Sequence, residues 1–386
     1  MNAAYDTHVF SGQRFGGISR YFIEVMLQLR TMGIAIQLPT YYGQNEYIAR
    51  DDGLRSRQMA MPYPSVRNYM RALFGGPCVH RDYNKVNRRL SLAWLEENRG
   101  RYDLFHPTYH DSYFLSAIGD TPFVLTIHDM FQETYPEYSI QDPLLFDKAL
   151  LVGKATHIVA DSEYTRKELV VRLNVPDDRV TVVYPGVSVE RWVGPLPDGM
   201  HLQGRYLLYV GRRSNYKNFY FMCSALQPFL SGRDAIKLIC VSGAFTNTER
   251  KYFTGLGIEK NVISMAPDDD LLSALYTNAE MTIVPSLYEG FSLPIAEAHR
   301  CGCPVVASDA SCHPEIAGNA AVFFNPKDHA GLRDAVGGLL RDKGRRSELA
   351  EMGRARSMRY TWEAAAQQMR EVYSTVVLCR GTKPHA

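Results

Sequence analysis

Residues 281–308 read MTIVPSLYEGFSLPIAEAHRCGCPVVAS. Met281 to Pro285 and Pro304 to Ala307 are compact apolar runs with β-branched residues and turn-formers at their edges, which predicts two buried strands. Pro294 suits the first position of a helix, where its missing N–H is unpaired anyway and its φ is already helical. Gly302 suits the left-handed stop after that helix. The stretch therefore reads as strand, loop, short helix, strand, and shorter apolar strands alternate with helical segments through much of the chain. That alternation predicts α/β architecture with parallel sheets covered on both faces.

Two carboxylates, Glu289 and Glu297, bracket the loop in an E-x7-E arrangement. If Pro294 opens the helix, the backbone N–H groups of Phe291, Ser292 and Leu293 gather where the helix dipole is positive, which suits phosphate. Gly290 lets the chain approach a ligand closely. Glu297 would repel a phosphate but can accept hydrogen bonds from hydroxyls beside one. Anion donors flanked by two hydroxyl acceptors describe a sugar nucleotide. Taken singly, each carboxylate has a plainer reading, because a Glu in the first helical turn is favourable with no ligand present.

The run EGFSLPIAEAHRCGCPVVAS resembles the donor-site segment of retaining GT-B glycosyltransferases of glycosyltransferase family 4, where the pattern is roughly EGFGLPxLEAMAxGxPVVAS. The resemblance implies that Glu289 and the following amides contact the sugar and diphosphate, and that Glu297 holds the ribose. Ser292 departs from the usual Gly, and His299-Arg300 from the usual Met-Ala. The implied fold is two Rossmann-like doubly wound domains facing one cleft.

At 386 residues, with 46% hydrophobic and 22% charged residues, the chain suits a two-domain soluble protein. A net charge of +2 gives no basis for nucleic-acid binding. No apolar run reaches the ~18 residues of a membrane-spanning helix, and the opening MNAAYDTHVFSG lacks the pattern of a secretion signal. Seven cysteines, mostly in apolar segments, fit a reducing cytoplasm. Cys301 and Cys303, with Cys312 and His313 nearby, could suggest zinc, but Gly302 and Pro304 place the pair at a helix end running into a buried strand. Small buried hydrophobes are the better reading. No metal or cofactor is expected.

Tyr5 to Phe10 reads as a first strand, Ser11 to Gly17 as a turn and Ile18 to Met32 as an amphipathic helix. Together they form the opening of a Rossmann-type unit with anion donors at the helix start. The turn is not GxGxxG, so a dehydrogenase is poorly supported. Gly16 and Gly17 resemble the family's N-terminal glycine loop. Residues 34–43 read as another strand. From Arg50 to Arg101, basic residues interleave with aromatic ones, which suits either a solvated helical face or peripheral contact with an anionic membrane. His128-Asp129 falls at the carboxyl end of the strand TPFVLTIH and resembles the family's T-x-H-D motif, whose His faces the transferred sugar. His106, ending a neighbouring strand, is a weaker candidate.

YPGVSVERW resembles the family's hinge, giving an expected division into 1–190 and 191–361, with the C-terminal helix (362–386) returning to the first domain. GRRSNYKNF after the strand at Arg205 to Val210 resembles the family's diphosphate clamp, with Lys217 and one of Arg212 and Arg213 inward. Spacing favours Arg212. Asp268-Asp269-Asp270 could imitate a metal-binding DxD but precedes LLSALYTNAE, where helix capping explains it better. Glu315, in SCHPEIAGNAAVFFN, reads as a structural cap. The expected activity is metal-independent transfer of a hexose, mannose from GDP-mannose first and a UDP-sugar as the alternative. The acceptor is a saccharide or lipid-linked saccharide of surface polysaccharide assembly. Catalysis would fall to His128, Glu289, Arg212 and Lys217, with retention by front-face displacement preferred over a covalent intermediate on Glu289. A sugar-nucleotide epimerase or a non-catalytic sugar-nucleotide-binding protein remains the competing reading.

Overall fold

The computed structural model describes residues 1–59, 81–138, 144–194, 204–213, 215–232 and 235–380. The chain falls into two compact units. The first comprises Met1–Asp161, Thr165–Gly186 and Trp362–Ala386; the second comprises Ser162–Tyr164 and Val187–Thr361. The division comes at Gly186–Val187, ahead of the expected 190–191. Val187 is already part of the second unit because its N–H bonds the Tyr360 carbonyl at 3.1 Å, and the Val187 and Val189 side chains are buried.

In the first unit, β1 (Asn2–Tyr5) lies between β2 (Ala35–Gln37) and β5 (Leu104–His106), all parallel. A second parallel set follows in the order β6 (Val124–Ile127), β7 (His157–Ala160), β8 (Val180–Val182). A parallel bridge between Phe105 and Phe123 joins the two sets. Tyr41–Tyr42 (β3) and Gln58–Met59 (β4) pair separately. The first strand ends at Tyr5 and not at Phe10. The buried Asp6 carboxylate accepts from the Thr108 N–H at 2.9 Å and the Thr108 hydroxyl, and His8–Gly12 then winds into a helical turn. Likewise the expected strand at 34–43 is interrupted around Pro39, which has no N–H to give a ladder.

Helix Gly17–Thr31 follows the glycine turn as its apolar spacing predicts and buries Phe22, Val25, Met26 and Leu29. The last helix, Trp362–Arg380, lays Ala365, Ala366, Met369, Tyr373 and Val376 into the same core.

The second unit is one six-stranded parallel sheet in the order β11 (Val262–Met265), β10 (Lys237–Val241), β9 (Tyr206–Val210), β12 (Met281–Val284), β13 (Val305–Ser308), β14 (Ala321–Phe324). Counted within the unit this is 3-2-1-4-5-6, the order of a doubly wound nucleotide-binding sheet. The central strands are short apolar runs because helices cover both faces and no solvent-facing side remains. β14 lies inside a segment that sequence reasoning left undivided.

Candidate active site

β9 and β12 are neighbours in the sheet although they are the first and fourth strands of the unit. Their following connections leave toward opposite sides, which opens a crevice beyond their carboxyl ends, where α/β sheets hold ligands. Gly211, directly after β9, has φ of 144°, which only glycine adopts without strain. A 3-10 turn over Asn215–Lys217 then brings Lys217 to the crevice, and the loop after β12 brings Glu289. Lys217 Nζ lies 2.5 and 2.7 Å from the two Glu289 carboxylate oxygens. The two loops are also stitched by their backbones, the Leu287 N–H donating to the Tyr216 carbonyl at 2.8 Å.

Glu289 is itself held from two sides. The Ser286 hydroxyl donates to its Oε1 at 2.8 Å, and its own N–H donates to the Ser311 hydroxyl at 3.0 Å. Both side chains of the Lys217–Glu289 pair are mostly buried. A cation and an anion placed together in a poorly hydrated crevice can re-pair with a ligand's phosphate and hydroxyl groups at little reorganisation.

The helix after this loop runs Leu293–Cys301, starting one residue before Pro294, and Gly302 ends it at φ of 73°. Of the three amides expected to gather there, that of Leu293 turns back to the Phe291 carbonyl at 3.2 Å. The Phe291 ring packs edge-on to Tyr360 at 5.4 Å, so its side chain is part of the packing. Gly290 presents its carbonyl to the Ser162 hydroxyl at 2.6 Å. Ser292 is fully buried and its hydroxyl has no hydrogen-bond partner among the described residues. Glu297 sits one turn into the helix with its Oε2 accepting from the Tyr276 hydroxyl at 2.8 Å. Burial raises the Tyr276 phenol and the Glu297 charge raises it further, so it stays a donor.

The paired arginines separate cleanly. Arg213 forms a nearly buried ion pair with Glu249, donates to the Gly243 and Ala244 carbonyls at 3.0 Å each, and lies over the Phe245 ring at 4.8 Å. It is committed to the fold. Arg212 is exposed. Sequence reasoning missed Glu249; the capping box Thr246-x-x-Glu249 marks it as a helix cap, and its pairing with Arg213 follows from β10 lying beside β9.

In the first unit, Gly16 caps helix Gly17–Thr31, and the Gln13 side chain already accepts from the Ser19 N–H at 3.3 Å. His128 follows β6, with Nδ1 2.7 Å from Asp161 Oδ2. Asp161 was not foreseen; its signal was an acidic residue directly after a strand, as His128 follows one. His106 is a core residue. Its Nδ1 meets the Tyr373 hydroxyl at 2.6 Å and its Nε2 the Thr126 hydroxyl at 2.8 Å, and burial lowers its pKa to about 3.

The remaining candidates are structural. Cys301, Cys303 and Cys312 are buried free thiols, and burial pushes Cys303 up to about 12. Asp268 caps helix Asp269–Asn278 by accepting from the Leu271 N–H at 2.9 Å. Glu315 accepts from the N–H groups of Glu163 and Tyr164 at 2.8 Å each. The His299 Nε2–H donates to the Ala320 carbonyl at 3.1 Å, and Arg300 donates to the Ser357 and Tyr360 carbonyls. Both residues therefore serve packing. Among the described residues no group of three or more His, Cys, Asp or Glu side chains is placed to hold a metal ion, and no helix is long and apolar enough to cross a membrane. Residues 60–80 of the basic segment lie outside the described residues. Helix Arg81–Glu97, which ends it, exposes Lys85, Val86, Arg88 and Arg89.

A family model for Glycosyltransferase Family 4 matches residues 15–191, and one for Glycosyl transferases group 1 matches residues 204–342. Between them they span both units. The chain is a family 4 glycosyltransferase. Among curated relatives, this glycosyltransferase is 25% identical to the O-antigen chain mannosyltransferase B of Escherichia coli, over 92% of this chain and 95% of that one. It is also 25% identical to the D-inositol 3-phosphate glycosyltransferase of Xylanimonas cellulosilytica, over 93% and 91%. Among solved structures, sucrose-phosphate synthase from Thermosynechococcus elongatus aligns with a TM-score of 0.77 at 19% identity, over 98% and 99% of the two chains. Anabaena Alr3699/HepE in complex with UDP-glucose aligns at 0.74 and 18%, over 97% and 99%. The glycosyltransferase thus has the two-domain GT-B fold.

Proposed function

We propose that this enzyme transfers a hexose from a nucleotide-sugar donor to a saccharide or lipid-linked saccharide, with retention of anomeric configuration. The observation that carries the reading is the Lys217–Glu289 pair at the crevice of a 3-2-1-4-5-6 sheet, beside the start of helix Leu293–Cys301. In the reaction a nucleoside diphosphate leaves and negative charge builds on its bridging oxygen. Lys217, with Arg212, stabilises that charge, and each such donor contributes roughly 3 kcal/mol to lowering the barrier. Glu289, released from Lys217 as phosphate arrives, accepts from sugar hydroxyls. Glu297 accepts from the ribose, and His128 addresses the transferred sugar. The departing phosphate takes the acceptor's proton, so no glycosyl-enzyme forms on Glu289.

A UDP-sugar is the donor with the broader support. Alr3699/HepE, which shares the fold, is found in complexes with UDP and with UDP-glucose. The GDP-mannose expectation moves to second place. It rests on the opening stretch and on the relative named as a mannosyltransferase. Surface-polysaccharide assembly and contact with an anionic membrane through the exposed face of helix Arg81–Glu97 belong to the same proposal.

The test is a panel of UDP- and GDP-sugars, screened by thermal shift and then by transfer to saccharide and glycan-lipid acceptors, with and without anionic vesicles. A UDP-hexose is expected to stabilise the protein and be transferred, and Glu289→Gln to lower kcat about a hundredfold or more. Near-normal turnover by Glu289→Gln would remove the carboxylate from the mechanism. Isomerised donor with no acceptor present would mean an epimerase, and indifference to vesicles retires the membrane contact.

A further inference from the structure

β6 and β7 run parallel with Ile127 opposite Ala160, so the residues that follow them, His128 and Asp161, emerge side by side at the carboxyl edge of the sheet. Asp161 is 5% exposed, and the His128 side chain 12%. His128 Nδ1 stands 2.7 Å from Asp161 Oδ2. The rings of Tyr21 and Phe22, at 5.1 and 5.8 Å, meet the imidazole edge-on and fix its plane. An ionised carboxylate only accepts hydrogen bonds, so the shared proton belongs to Nδ1. In the neutral ring Nε2 then carries the lone pair. Nε2 is buried and has no hydrogen-bond partner among the described residues. Buried polar atoms are nearly always satisfied, and an orphan in a catalytic fold calls for a ligand.

We propose that Asp161 is a positioning residue of this enzyme, holding His128 in the rotamer and tautomer that offer Nε2 as an acceptor to a hydroxyl of the sugar substrate. The proposal rests on the glycosyltransferase reading of His128 and adds to it the group that makes the histidine an acceptor. The partner is an O–H, so the contact orients the sugar and moves no proton. With Asp161 replaced, the ring gains freedom to rotate and to carry its proton on Nε2, which would then meet the hydroxyl's oxygen in place of its hydrogen.

Two measurements test this. The first is a double-mutant cycle on turnover with Asp161→Asn, which keeps the side-chain volume, Asp161→Ala, His128→Ala and the corresponding doubles. Asp161→Ala should lower kcat about a hundredfold, the scale of a misplaced catalytic group, with donor KM within about threefold of wild type. In the His128→Ala background the same change should have no further effect, as for residues acting as a unit. Equal losses in both backgrounds, or a loss that follows the melting temperature, would overturn the proposal. So would an active Asp161→Ala enzyme alongside an inactive His128→Ala one.

The second measurement needs no turnover. Nitrogen-15 NMR of the His128 ring, assigned with His128→Gln, should show Nδ1 protonated and Nε2 bare, and Asp161→Asn should change that pattern. A wild-type ring protonated on Nε2 would overturn the proposal whatever the activity. A wild-type enzyme that transfers no sugar, with the ring signals as expected, would count against the proposed function and not against the pairing.

Discussion

Arg212 and Arg213 are adjacent in sequence and opposite in use. Arg213 is enclosed with Glu249, so removing its charge strands a buried carboxylate, a change that typically costs about 3 to 5 kcal/mol. Arg212 is exposed after a glycine turn and makes no such commitment. Arg213→Met is therefore expected to lower the urea midpoint sharply, whereas Arg212→Ala should leave it nearly unchanged and lower kcat about a hundredfold. Equal stability losses in the two variants would contradict this division. The sequence favoured Arg212 by spacing alone. Glu289 was also legible as a single residue, a carboxylate beside a glycine where the chain can approach a ligand, whereas Lys217 was singled out through the resemblance to the family's diphosphate clamp. Their pairing was not legible, since it depends on β9 lying beside β12, and chain order does not state which strands are neighbours. Asp161 escaped for the same reason, its meaning arising only from the register that sets it next to His128.

Buried histidines tie elements together in both units. In the first, Tyr5 of β1, His106 of β5, Tyr373 of the last helix and the Thr126 hydroxyl on β6 form one hydrogen-bonded chain. Burial holds His106 at about 3, and His299 and His313 in the second unit at about 4. An unfolded histidine titrates near 6.5. As pH falls below that value the unfolded chain takes up protons that the folded chain refuses, so the stability these groups contribute is present above about pH 6.5 and is lost toward pH 4. Each can contribute a slope of up to about 1.4 kcal/mol per pH unit. The urea midpoint should fall between pH 7.5 and pH 5, and His106→Gln should flatten the decline; a midpoint that does not change over that range would rule the linkage out. Elements were read well where apolar runs were bounded by turn residues, as at 281–285 and 304–307. They were misread where one buried side chain decides the end of a strand, as Asp6 does for β1.

At the scale of the molecule, two α/β domains were expected from length and from the alternation of strands and helices, the return of the last helix to the first came from the family resemblance, and the packing shows its physical basis. Trp362 comes so close to Gly186 that a Cβ there would lie 2.4 Å from the Trp362 nitrogen, so the departure from the first unit and the return to it are built against each other. Tyr5, Phe22, Met26 and Leu29 share one core with Ala366, Met369, Tyr373 and Val376. A fragment ending at Gly186 would leave that apolar face uncovered. It should bind a hydrophobic dye and sediment as aggregates, and a soluble monomer with native-like thermal unfolding would show that the helix is dispensable. In the cell the same arrangement sets a timetable. While the ribosome is still making residues 187–361, the earlier half cannot yet bury its exposed apolar face. It must wait, shielded by chaperones or by partial collapse, until Trp362–Arg380 clears the exit tunnel, so the half made first is the half finished last.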